Sequence, residues 1–108
     1  VKVKLGSTTL ATSGAIGLTA SIASREIVIR FAITYRTVGA SGSVRCAVDC
    51  FFWITASTSG APVSFFATSP VTIDTTVDQA LDVTWQWSLA DAANTITQID
   101  TLIRYLGN

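Results

Sequence analysis

Residues 44–56 read VRCAVDCFFWITA, and how they are read decides the fold. Two cysteines four apart, beside three consecutive aromatics, invite a metal or redox motif in a chain with no other cysteine and no histidine. The periodicity argues otherwise. Val44, Cys46, Val48, Cys50, Phe52 and Ile54 alternate strictly with their neighbours, and the segment is β-branched and aromatic, which predicts a strand. Residues four apart in a strand are separated by about 13 Å, whereas a disulfide needs Cα atoms within about 7 Å, so Cys46 and Cys50 cannot bond to each other. A structural zinc wants four Cys or His ligands, and Asp49, the nearest carboxylate, points to the opposite face. The cysteines are therefore expected to be small buried hydrophobes. A bond to a cysteine of a neighbouring subunit stays open as an alternative, and it would need an oxidising compartment.

The odd-numbered face of the same strand carries Arg45, Ala47, Asp49, Phe51, Trp53 and Thr55. Large rings on one side and a continuous apolar stripe on the other imply a strand covered on both sides, or else Phe51 and Trp53 on show. Arg45, Asp49, Phe51 and Trp53 are accordingly the candidate subunit interface; a stacking platform for a sugar ring and ordinary packing within the domain are the alternatives.

Working outward, REIVIRFAITYR (25–36) puts Ile27, Ile29, Phe31, Ile33 and Tyr35 on one face, as a half-buried antiparallel strand requires. LDVTWQWSL (81–89) alternates in the same way, which assigns Trp85 and Trp87 to the core with Leu81, Val83 and Leu89. Thr95 to Leu106 is expected to be a third long strand, and Val1–Leu5, Gly17–Ser21, Val63–Thr68 and Val71–Thr75 shorter ones. TSGA, VGASGS, STSGAP, TSP and LADAAN between them are turn chemistry. The result is an all-β chain: one antiparallel β-sandwich of about eight strands spanning residues 1–108, jelly-roll-like, with an immunoglobulin-like sandwich as the alternative. The loop residues Ser57, Ser59, Gly60, Asp91 and Asn94 are candidates for an exposed, partner-facing end.

Composition narrows the function. Net charge is zero, with seven basic and seven acidic side chains scattered along the chain, so neither nucleic acid nor an anionic membrane is an expected partner. Charged residues make up only 13% of the chain, about half the usual share, and Ser and Thr supply a quarter of it. A surface this poor in charge is expected to be covered by other copies of the chain. The first residue is valine and no methionine occurs, so the domain is expected to be part of, or processed from, a longer polypeptide. Without histidine the usual base for a serine or cysteine nucleophile is missing. Asp74, Asp78, Asp82, Asp91 and Asp100 could in principle supply a glycosidase pair, but nothing singles out two of them. No phosphate-binding glycine loop is present, since GASG joins two strands and opens no helix. The chain is expected to be no enzyme and to hold no cofactor or metal.

Two long stretches carry a resemblance. YRTVGASGSVRCAVDCFFW (35–53) and TIDTTVDQALDVTWQWSLADAANTITQIDTLIRYL (72–106) resemble a pattern at the C-terminal ends of tailed-bacteriophage virion proteins. Its Arg-Thr-x-Gly-x-x-Gly turn falls on Arg36, Thr37, Gly39 and Gly42. The Leu-Asp-Thr-Thr stretch falls on Ile73, Asp74, Thr75 and Thr76, and the Val-Thr-x-Gln-Trp strand on Val83, Thr84, Gln86 and Trp87. The entry to the last strand falls on Ala90 and on Ala92 to Thr97. The resemblance runs from about Leu5 onward and rests on turn and strand residues. It implies a homotrimeric jelly-roll-type module of a virion, serving as a capsid decoration or cement protein or as the knob of a head or tail fibre, with capsid or fibre proteins as partners. A receptor-binding tip that recognises host surface glycan is the alternative it leaves open.

Overall fold

The computed structural model describes residues 1–17, 26–53, 60–66, 69–88, 92–98 and 100–104. Seven strands lie in these residues, and no helix. They are β1 (Lys2–Leu5), β2 (Thr8–Thr12), β3 (Val28–Thr37), β4 (Gly42–Trp53), β5 (Gly60–Phe66), β6 (Val71–Ile73) and β7 (Leu81–Thr84). All pairings are antiparallel. One sheet has the order β2-β1-β7; the other runs β3-β4-β5, with β6 also on β4. β2 lies across β4 and β5, which makes the two sheets a β-sandwich.

β4 is the central strand of the larger sheet, and its alternation is the one read from the sequence. Val44, Cys46, Val48, Cys50 and Phe52 are buried, whereas Arg45, Ala47, Asp49 and Phe51 are exposed. Val3, Leu5, Leu10 and Ala11 meet them from the other sheet, and Ile73 joins from β6. Leu10 and Ala11 are consecutive and both buried, which a regular strand forbids. The register explains it: Lys4 pairs with Thr9 but Val3 with Ala11, so a bulge at Leu10 turns two neighbours inward.

β5 and β6 occupy the same edge of β4. Phe66 is opposite Ala47 and Val71 opposite Val44, so four residues on this side span two on β4. Pro70 lies in this break, where its missing N–H costs no ladder bond. In effect the edge is one strand broken by two extra residues.

Seven strands among the described residues agree with an antiparallel sandwich of about eight, and sequence and structure part company at three places. β2 went unread, because Thr8–Thr12 is short and its bulge breaks the alternation that would have announced it. Of the expected strand Leu81 to Leu89, the described residues pair only as far as Thr84; Trp85 is 38% exposed and lies outside the buried cluster, a correction to its core assignment. The described residues of the expected strand 95–106 are not in a sheet, and Leu102 and Ile103 are 75% and 69% exposed. A period of two states what a segment could bury, but the ladder also needs a neighbour offering N–H and C=O groups. The expected strand Gly17–Ser21 falls almost entirely outside the described residues. The chain is drawn out to 47 × 28 × 26 Å, with a radius of gyration of 15.7 Å, against about 13 Å for a compact chain of this length.

Candidate functional site

The outer face of the β3-β4-β5 sheet brings together most of the candidate interface residues. Arg45, Asp49 and Phe51 share one face of β4, four and two residues apart, and all are exposed. Trp53 ends β4 with its backbone opposite Gly60, the first residue of β5. Asp49 sits directly across from Arg30 on β3 and from Ser64 on β5. The Ser64 hydroxyl donates to Asp49 Oδ1 at 2.6 Å. One row across three strands thus reads cation, carboxylate, hydroxyl.

The next row pairs Ala32 with Ala47, and the one beyond it Thr34 with Arg45. On the other side of Asp49 the row is Val28 with Phe51, whose ring is 39% exposed. The face is therefore low in relief and apolar at one end, and its acidic charge is already engaged within the sheet. Such a surface suits another protein face better than a phosphate or a metal. Of the candidate loop residues, Asn94 is exposed; Ser57, Ser59 and Asp91 lie outside the described residues, and Gly60 belongs to β5 rather than to a loop.

Behind this face, Cys46 and Cys50 are each 2% exposed and form no disulfide. Burial pushes both thiols above their ordinary pKa; at Cys50 the N-terminal ammonium opposes the rise and Asp49 adds to it. A protonated, water-excluded thiol is a poor nucleophile and a poor metal ligand. Among the described residues no group of three or more His, Cys, Asp or Glu side chains could hold a metal ion. No helix among them is long and apolar enough to cross a membrane.

A second cluster lies at the end of the sandwich where the β3–β4 turn meets the segment after β6. The Gly39 N–H donates to Thr75 Oγ1 at 2.8 Å, the Thr75 N–H donates to Gly39 O at 3.1 Å, and the Gly42 N–H closes the turn on Gly39 O at 2.9 Å. Gly39 has φ 129°, open to glycine and to few other residues. A Cβ on Gly42 would come within 2.8 Å of both Thr37 O and Thr75 Cγ2. Asp74 Oδ1 accepts from Thr76 Oγ1 at 2.6 Å and from the Thr76 N–H at 2.9 Å, an Asx turn that holds its carboxyl below the usual range. Two motif stretches more than thirty residues apart, Arg36–Gly42 and Ile73–Thr76, are thus parts of one clasp. A depression of about 330 Å³ beside it is lined by Leu5, Tyr35, Asp74, Val77, Asp78 and Gln79, among others. Sequence reasoning named the motif residues without seeing that they touch, because nothing in their spacing reports a contact across the fold.

Compared with known protein families, with curated proteins and with solved structures, the chain finds no match in any of the three. The resemblance drawn from the motifs therefore stands on those residues alone.

Proposed function

We propose that this chain is a non-catalytic structural module of a tailed-bacteriophage particle. In this reading it is a homotrimeric sandwich knob that decorates or cements the capsid, or caps a head or tail fibre, in contact with capsid or fibre protein. The observation that supports it best is the outer face of β3-β4-β5. Arg30 stands opposite Asp49 and Ser64 donates to it, and the same low-relief face carries alanine, threonine and the partly exposed Phe51. Aromatic anchors set in a rim of polar residues are the usual carriers of protein–protein affinity. The low charge of the whole chain supports the same reading.

Light scattering of the wild-type protein tests it first, with a trimer expected at micromolar concentration. Phe51→Ser should shift the population toward monomer while leaving the far-UV spectrum and the core intact. Co-sedimentation with undecorated phage heads is expected. A clean monomer throughout the micromolar range would overturn the proposal. Adsorption to host cells or to surface polysaccharide, without binding to heads or fibres, would put a receptor-binding tip in its place.

A further inference from the structure

The proposed self-association leaves open how copies join, and two features of the structure speak to that. The first is β3. It is ten residues long, and among the described residues it is paired on one edge only. The opposing sheet lies over β4 and β5, so the core-side residues of β3, Ile29, Phe31 and Ile33, are half-buried, where their partners on β4 are fully so. A long, unpaired, partly apolar edge invites strand addition. The second feature is the C-terminal segment. Its described residues between 95 and 104 have strand composition and no sheet, and all are exposed except the half-buried Ile96.

Charge selects how the two would meet. Antiparallel pairing in which Asp100 lies opposite Arg30 also brings Arg104 opposite Glu26 and Leu102 opposite Val28. The exposed outer face would then extend two rows already present: Asp100 joins the Arg30–Asp49–Ser64 row, and Leu102 joins Val28 and Phe51. Ile103 would lie opposite Ile27, which is itself 40% exposed. A slip of two residues one way sets Asp100 against Val28 and Gln98 against Arg30. Two the other way sets Asp100 against Ala32 and Leu102 against Arg30, and four that way sets Arg104 against Arg30. Among these registers, only the first matches both charges and both apolar positions.

We infer that residues 95–104 of one copy add as an antiparallel strand to the open edge of β3 and the two residues that lead into it in a second copy, with Asp100 opposite Arg30 and Arg104 opposite Glu26. In its own chain the described residues of the segment lie off the sheets, which is why the occupant is another copy. Each copy then gives a strand and receives one, and three such head-to-tail contacts can close a ring. The inference rests on the self-association proposed above and states its mechanism.

The test uses net-charge-preserving swaps in the whole chain. An edge variant carries Glu26→Arg with Arg30→Asp, and a segment variant carries Asp100→Arg with Arg104→Asp. Each alone replaces two attractive pairs by two repulsive ones and should raise the concentration of half-dissociation about tenfold. The variant with all four substitutions restores both cross-copy pairs and should recover most of the assembly, the remainder being lost to the repulsion that Arg30→Asp creates with Asp49 in its own sheet. Native mass spectrometry of that variant mixed with wild type should then show the two homo-assemblies and few mixed ones. If wild type assembles but the edge and segment variants assemble equally well, the strand exchange is wrong and self-association stands. If the fourfold variant mixes freely with wild type, the pairing is within one chain and the inference is overturned. If wild type is a monomer, both the inference and the self-association fail.

Discussion

Cys50 is the sharpest place to ask whether the cysteine strand is chemistry or packing. It is 2% exposed on β4, with Ile29 of β3 and Val63 of β5 as its register partners, so the neighbouring backbone groups on both sides belong to ladders. Cys50→Ser puts a hydroxyl in a buried site whose backbone neighbours are already paired in ladders, which costs about 2 kcal/mol by the usual desolvation penalty. Cys50→Ala removes one sulfur, slightly more than a methylene, and leaves a small void; about 1 kcal/mol is expected. For a chain of this length the unfolding entropy is about 0.23 kcal/mol/K, so the serine variant should melt about 9 °C below wild type and the alanine variant about 4 °C below. Calorimetry at one fixed protein concentration measures both, since association would otherwise move the midpoint. The same samples, treated with a thiol reagent under native conditions at pH 8, should stay unlabelled until denatured, because burial holds the thiols protonated. Serine tolerated better than alanine, or rapid labelling of the folded protein, would refute the packing account and return the cysteines to the list of reactive groups.

Three further outcomes follow from the clasp. Gly42→Ala forces a Cβ to within 2.8 Å of the Thr37 carbonyl oxygen, and the backbone shift should cost about 1 to 3 kcal/mol, read as a drop in denaturation midpoint. Thr75→Val keeps the shape but strips the acceptor from the Gly39 N–H, which should cost about 1 kcal/mol; Thr75→Ser keeps that acceptor and should recover most of it. Asp74 has its pKa lowered in the fold, by the Thr76 hydroxyl first and the Thr76 N–H second. Its contribution is thus complete above the unfolded carboxyl pKa of about 3.9 and lost as the pH falls through the lower folded value. The stability gap between wild type and Asp74→Asn should accordingly be constant from neutral pH to about pH 5 and close below pH 4; a gap that widens in acid would contradict the assignment.

The fold class was legible in the sequence because period-two alternation is a local property. A residue such as Val48 is committed to one face of the pleat by its parity with Val44 and Cys46, whatever lies opposite. The exposed assignment of Arg45, Asp49 and Phe51 followed from the same parity. β2 escaped because a bulge at Leu10 resets the parity in the middle of five residues. Trp85 was misplaced because alternation continued in the sequence after the ladder had stopped at Thr84.

Parity along the chain is enough to make this an all-β protein, with its cysteines inside and β4 displaying a charged and aromatic outer face. Which strand lies beside which was decided only by the tertiary structure. Arg30 faces Asp49, Gly39 is clasped by Thr75, and β5 and β6 are two pieces of one edge because pairing joins residues far apart along the chain. The same cause left the described residues between 95 and 104 outside the sheets of their own chain. A strand's pattern is written in its own residues, but its hydrogen bonds belong to a neighbour, and the neighbour is chosen by the fold.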